Sequence, residues 1–204
     1  MSQANIQRGH WLVLIYRLSA DTSSARSAVW RETRRLGALS LQHGVCLLPL
    51  SESHREACSR LIERVEGYGG EAVVLETRSP SDAWEARTIT RFNQARDEEY
   101  EEVVDEAERF REEIDRERRK GKYTFAELED EETNLERLHK YIGQVEARDW
   151  FGASGRSRAA AEVATCEEVL QVFAQEIFER QAGSPEVAPP EPDQLSRWLV
   201  EERE

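Results

Sequence analysis

Four short apolar runs separated by two stretches of helical spacing occupy residues 10 to 78, and their order constrains the fold more than any other feature of this chain. The runs are Trp11 to Leu18, Leu39 to Leu41, Val45 to Leu50 and Glu71 to Thr77. Each has the length and the Val, Ile and Leu content of a strand. The first is apolar almost without interruption, as expected of a central strand covered by helices. Between the first two, Ala25, Val29, Trp30, Thr33 and Leu36 recur at three- and four-residue steps and are predicted to face a sheet, with Asp21, Thr22 and Ser23 as candidate caps and Gly37 as the stop. Gln42, His43 and Gly44 read as a hairpin turn. Ser51 or Ser53 can cap a second helix whose buried face is Ala57, Leu61, Ile62 and Val65, and Gly67, Gly69 and Gly70 end it. The order is β-α-β-β-α-β, the split βαβ pattern of a ferredoxin-like sandwich with both helices on one side of an antiparallel sheet.

The remaining residues read as a helical annex, which makes the fold class α+β. Tyr100, Val103, Ala107, Phe110 and Ile114 follow one another at steps of 3, 4, 3 and 4, and Trp84, Ile89 and Phe92 extend the stripe upstream. That is a bundle or coiled-coil seam on a helix of some 55 Å, ending at Gly121 and too long to lie wholly on a small sheet. Thr124-Phe-Ala-Glu127 is a capping box ahead of Leu128, Leu135, Leu138, Ile142 and Val145. After a loop through Gly152 and Gly155, a third stripe runs Ala160, Val163, Cys166, Leu170, Phe173 and Ile177. Three such helices can form an antiparallel bundle, or the longest can pair with a second subunit, and periodicity does not choose between them. The predicted division is 1–79 for the sheet domain, 80–183 for the annex, and 184–204 for a Pro-rich acidic linker with a short amphipathic end. That end, Leu195, Trp198 and Leu199, either docks on its own bundle or binds a partner.

Residues 10 to 150 also resemble the N-terminal domain of the ChrB family of chromate-resistance regulatory proteins. The likeness rests on the apolar strand ending in Tyr16-Arg17-Leu18, the Arg-x-x-x-Trp-Arg helix at Arg26, Trp30 and Arg31, the Leu36-Gly-Ala38 turn, the strand VCLLP and the segment GGEAVVLET. The resemblance implies a role in chromate-responsive transcriptional control beside a chromate transporter. Many relatives add a C-terminal chromate-resistance domain, whose counterpart is not expected in this chain. The strand, Arg-rich helix and hairpin are also similar to small CRISPR-associated ferredoxin-like nucleases and to the C-terminal domain of PaaX-type repressors. In that nuclease group the first strand ends in a metal-binding carboxylate. Here Arg17 holds the place and Asp21 comes four residues later, so metal-dependent phosphodiester cleavage lacks its clustered carboxylates.

Charge narrows the function further. The net charge of −13 divides into about +2 for residues 1–78 and −15 for 79–204, so any nucleic acid should meet the sheet domain, with the annex facing away. Arg26, Arg31, Arg34 and Arg35 make the first helix the most basic stretch, offset only by Glu32, and Arg17 can join them. These five are the candidate nucleic-acid or oxyanion-binding residues, because guanidinium forks suit phosphate and similar oxyanions; the alternative is a solvated, ion-paired helix face. His54 and Cys58 have the four-residue spacing of two metal ligands, but no neighbours complete a set. The Glu-rich runs 97–102 and 127–132 suit solvated faces, and the basic cluster 116–122 suits a helix C-terminus. No catalytic residue, metal or other cofactor is expected.

Three scattered cysteines fit a reducing compartment, and no apolar run approaches the roughly 20 residues that span a bilayer, so a cytoplasmic protein is expected. Two functions follow. One is a non-enzymatic, ChrB-like regulator, expected to be a homodimer, that contacts promoter DNA through the N-terminal domain. The other is a protein-binding adaptor that uses the acidic annex.

Overall fold

The computed structural model describes residues 6–18 and 23–182. Asp21 and Thr22, proposed as caps, and the whole C-terminal segment with Leu195, Trp198 and Leu199 lie outside the described residues. Nine elements follow one another: β1 (His10–Arg17), α1 (Ser23–Arg35), β2 (Leu39–Gln42), β3 (Val45–Pro49), α2 (Glu52–Gly67), β4 (Glu71–Arg78), α3 (Asp82–Lys120), α4 (Phe125–Glu146) and α5 (Arg156–Ala182). The four strands form one antiparallel sheet in the order β2-β3-β1-β4. In register, Leu14 lies opposite Cys46 on β3 and Val74 on β4, so the two longest pairings meet at the middle of β1.

Alternation along β1 sends Leu12 and Leu14 to one face and Trp11, Val13 and Ile15 to the other. The first face is the one α1 and α2 cover. Leu14 and Cys46 pack with Val29 of α1 and with Leu61 and Val65 of α2, while Leu12, Leu48 and Leu50 pack with Cys58. Trp30 departs from the expected pattern: it was grouped with the sheet-facing residues but is 53 % exposed. Ala25, Val29 and Thr33 already fill the buried stripe of α1, and Trp30 falls to its flank.

Local chemistry fixes the element ends. The Ser51 hydroxyl accepts from the backbone N–H of His54 (3.1 Å), and the Ser81 and Thr124 hydroxyls do the same for Trp84 and Glu127 (3.2 Å each). Gly121 closes α3 in the left-handed conformation (φ 71°). Gly44 closes the β2–β3 hairpin at φ +76°, where a Cβ would fall 2.3 Å from the Tyr16 carbonyl oxygen, so no other residue fits there.

The second face of the sheet is covered by the annex. The first turns of α3 and the segment before α5 bring Phe92, Trp84, Ile89, Trp150 and Phe151 onto Trp11, Leu47, Val13 and Leu39. Trp11 sits among three aromatic neighbours, with ring centroids 5.8 Å from Trp84 and from Phe92 and 5.9 Å from Phe151. Beyond the sheet, α3 leaves to pair with α4 and α5. Tyr100, Val103, Ala107, Phe110 and Ile114 are buried there against Leu138, Ile142 and Val145 of α4 and Val163, Cys166, Phe173 and Ile177 of α5. The seam of the long helix is thus satisfied within the chain. On α5 the inward alanine is Ala159 rather than Ala160, which is exposed. No helix among the described residues is long and apolar enough to cross a membrane.

Phe92 is the annex side chain most deeply set against the sheet (3 % exposed). Phe92→Ala is expected to destabilise the protein by about 3–5 kcal/mol, measured by denaturant unfolding. The same change at Phe178, which is 56 % exposed, should have little effect.

A candidate anion-binding groove beside the first helix

Arg26, Trp30 and Arg34 stand four residues apart and form one stripe along α1, flanking its buried stripe. Below them lies a groove of about 610 Å³, floored by Ala38, Ser40 and Gln42 of β2 and its approach and by Cys46 of β3. The end of β1 (Tyr16, Arg17, Leu18) and the turn residues His43 and Gly44 close it. Arg17, Arg26 and Arg34 thus line one cavity. Arg31 and Arg35 do not; both are exposed on the outer side of the helix.

The five arginines differ in how far they are neutralised. Arg17 forks onto Glu71, with both carboxylate oxygens 3.2 Å from its Nη2. Arg35 donates to Glu32 at 2.7 Å, and Arg64 also approaches Glu32 at 3.7 Å. Arg34 lies over the Trp30 ring (5.2 Å to the centroid) and reaches Glu99 of α3 at 3.3 Å. Arg26 and Arg31 make no ion pair among the described residues.

The Cys46 thiol and the Tyr16 phenol of the groove add no charge. Burial raises the Cys46 thiol above its ordinary value, partly offset by a hydrogen bond with Thr33, and burial followed by the proximity of Cys46 raises the Tyr16 phenol. Both stay protonated at neutral pH, so the fixed charge of the lining comes from guanidinium groups. An aromatic face, three arginines and the Ser27, Ser40 and Gln42 side chains make a lining suited to phosphate or another oxyanion.

Glu99 links this groove to the annex. Its carboxylate is buried and accepts from Arg148 (2.8 Å) as well as Arg34, and the Arg96 guanidinium lies 3.0 Å away without the alignment of a hydrogen bond. Burial lowers the Arg96 pKa, with Glu99 opposing that and the neighbouring Arg148 and Arg34 adding to it. Three guanidiniums on one carboxylate leave positive charge in excess at the junction. Gly37, at the end of α1, lies so close to this junction that a Cβ would sit 2.7 Å from that of Arg148.

Glu99 and Trp30 are the residues that sequence reasoning missed. The first was hidden in an acidic run and the second was assigned to the core. The spacing 26-30-34 was the available signal for Trp30. His54 and Cys58 sit elsewhere, under the sheet. His54 is buried, its Nδ1 lies 2.6 Å from the Pro49 carbonyl oxygen, and its ring meets the Trp150 ring edge-on at 4.5 Å. Cys58 is enclosed by Leu12, Leu48 and Leu50, and burial pushes its thiol up to about 11. Among the described residues no three His, Cys, Asp or Glu side chains are grouped to hold a metal ion. The basic cluster of 116–122 is ion-paired, with Arg118 on Glu176 (2.9 Å), Lys120 on Glu117 (2.8 Å) and Lys122 on Glu127 (2.8 Å).

The family model described as "Protein ChrB, N-terminal" matches residues 26–184, from α1 to just past α5. The match takes in well over half of the chain, which therefore belongs to the ChrB family, a family associated with chromate resistance. No curated protein matches.

The burial of His54 has a consequence for pH. Desolvation lowers its pKa in the folded state, and the bond to Pro49 only partly restores it. Above the ordinary value of about 6.5 both folded and unfolded chains carry neutral imidazole; below it the unfolded chain takes up the proton first. Stability should therefore fall as pH drops through 6.5 toward 5, by up to about 1.4 kcal/mol per unit. Thermal melts of wild type against His54→Gln across that range should show a smaller pH slope in the variant.

Proposed function

We propose that this protein is a non-enzymatic regulator in chromate resistance that contacts promoter DNA through α1. The observation that carries this reading is the pair Arg26 and Arg31, which stand on the α1 surface without an ion-pair partner among the described residues beside the cationic groove. Phosphate contacts need side chains whose charge is not already spent on a neighbouring carboxylate. Arg26 and Arg31 meet that requirement, while Arg34, Arg35 and Arg17 would have to exchange Glu99, Glu32 and Glu71 for the ligand. Membership of the ChrB family supports the chromate association.

The same reading places the first six elements in the ferredoxin-like class. A β-α-β-β-α-β succession with antiparallel order β4-β1-β3-β2 and both helices on one face supports that assignment. Absence of catalysis is part of the proposal, and Arg17 at the end of β1 supports it, since a nuclease of related fold carries a metal-binding carboxylate there. The free, buried thiols of Cys46, Cys58 and Cys166 support a cytoplasmic setting. An adaptor function remains the second reading, supported by the acidic exposed faces of α3 and α4.

A salt series of binding to DNA from the promoter upstream of the protein's own operon tests the choice. Wild type should bind at low salt with a steep negative salt dependence. Arg26→Gln/Arg31→Gln should reduce the slope of log K against log salt by about 2, the loss of two phosphate contacts. Added chromate should weaken the wild-type complex. No binding at low salt would favour the adaptor.

A further inference from the structure

The two edges of the sheet are built differently. The β2 edge is four residues long, its pairing with β3 is irregular between Ser40 and Gln42, and Arg91 of α3 reaches its Ser40 carbonyl oxygen at 3.5 Å. Short length, a bulge and a charged side chain are the usual devices that keep an edge from pairing with another chain. The β4 edge has neither the short length nor the bulge, and its charged side chains, Glu71, Glu76 and Arg78, leave the centre of the strand apolar. It is eight residues long, pairs with β1 without a register shift from Glu71 to Arg78, and contains no proline, lysine or bulge. Among the described residues no strand lies beyond it.

The side chains at that edge are apolar on the wrong side for a finished surface. Val73 and Leu75 lie opposite Ile15 and Val13 on the face that α3 covers only in part. Val73 is 47 %, Leu75 50 % and Ile15 37 % exposed. Exposed β-branched and aliphatic side chains beside an open strand edge form a surface that further pairing would bury.

We propose that β4 is the contact surface between two copies of this chain, paired antiparallel about a two-fold axis at Val74 to make one continuous eight-stranded sheet. A two-fold perpendicular to the sheet keeps each face on its own side, so paired residues must share a face. Centring on Val74 meets that condition and places Val73 opposite Leu75 of the second copy, twice. It also sets Glu71 opposite Thr77, Ala72 opposite Glu76, and Gly70 opposite Arg78, so no like charges face each other. Alternate residues along about 27 Å of edge, Ala72, Val74, Glu76 and Arg78 of each strand, have backbone groups that face outward and can gain hydrogen-bond partners, and the two exposed patches join into one. The occupant is a second copy because β4 is complementary to itself in this register. This surface is independent of the DNA reading and needs neither DNA nor chromate.

Light scattering of the full chain in the absence of DNA tests it. Wild type should have twice the 23.5 kDa chain mass. Val73→Lys/Leu75→Lys, two changes at exposed positions, should give the single-chain mass with unchanged helical circular dichroism and a cooperative melt. As a second measurement, Val73→Cys/Leu75→Cys should cross-link into covalent dimers on mild oxidation, whereas wild type, whose three thiols are buried, should not. A wild type that stays monomeric at high micromolar concentration overturns the proposal and leaves the edge to an extended segment of another protein. A lysine variant that remains dimeric, or a dimer that the cysteine variant fails to cross-link, overturns it as well.

Discussion

A four-stranded sheet has two faces to keep from water, and the two helices of a β-α-β-β-α-β unit serve only one of them. β1 is apolar on both sides, so Trp11 and Val13 require cover that α1 and α2 cannot give. That demand organises the rest of the molecule. It explains why α3 starts four residues after β4, capped by Ser81, and crosses back over β1 and β3 before it joins the bundle. It also explains the turn at 149–155. The Asp149 carboxylate accepts from the backbone N–H groups of Gly152 (3.0 Å) and Ala153 (2.9 Å) and from the Tyr100 hydroxyl (3.2 Å), which fixes the neighbouring Trp150 and Phe151 over the sheet. At about 25 cal/mol per Å² of apolar surface, an aromatic cluster of this size is among the larger contributions to holding sheet and annex together.

Cover of that second face is partial, and the boundary of the cover decides what remains visible outside. Toward Trp11 the sheet is sealed by aromatic rings; toward Ile15 it is open. The charged groups follow the same boundary. Where α3 passes α1, Glu99 draws in Arg34, Arg96 and Arg148, so one arginine of the basic helix is tied to the annex while Arg26 and Arg31 have no ion-pair partner among the described residues. A carboxylate with three guanidinium neighbours in a buried setting is sensitive to the loss of any one of them, because the remainder keep their charge with less to balance it. The acidic annex is therefore no uniform repelling field: one of its buried carboxylates, Glu99, works for the basic domain.

Much of the architecture could be read from residue order. Period-2 and period-3.6 apolar patterns located the strands and helices of the described residues, and Ser51, Thr124, Gly37 and Gly121 marked ends within a residue or so, because these signals are local. What escaped was set by packing between distant segments. Trp30 has the right spacing for the sheet face of α1, but three smaller residues fill that face and a large ring at the flank is displaced outward. Trp150 and Phe151 sit in a loop with no period at all, so nothing in the sequence marks them as sheet cover. Five arginines in one stretch looked like one cluster. Helical geometry puts Arg26 and Arg34 on the groove side and Arg31 and Arg35 on another, and only the fold brings Glu71 and Glu99 to two of the set.

The long helix belongs to two cores at once, with Phe92 in the sheet cluster and Phe110 and Ile114 in the bundle. Such a rod acts as a lever. From Phe92 to Lys120 it extends about 42 Å, so a tilt of about 10° at the sheet end displaces the far end by about 7 Å. Small changes in the packing around Trp11 or in the grip of Glu99 would thus be magnified at the distal tip of the bundle, where α3 turns into α4. Amplification of this kind needs no flexible hinge, only a stiff helix with its fulcrum at one end.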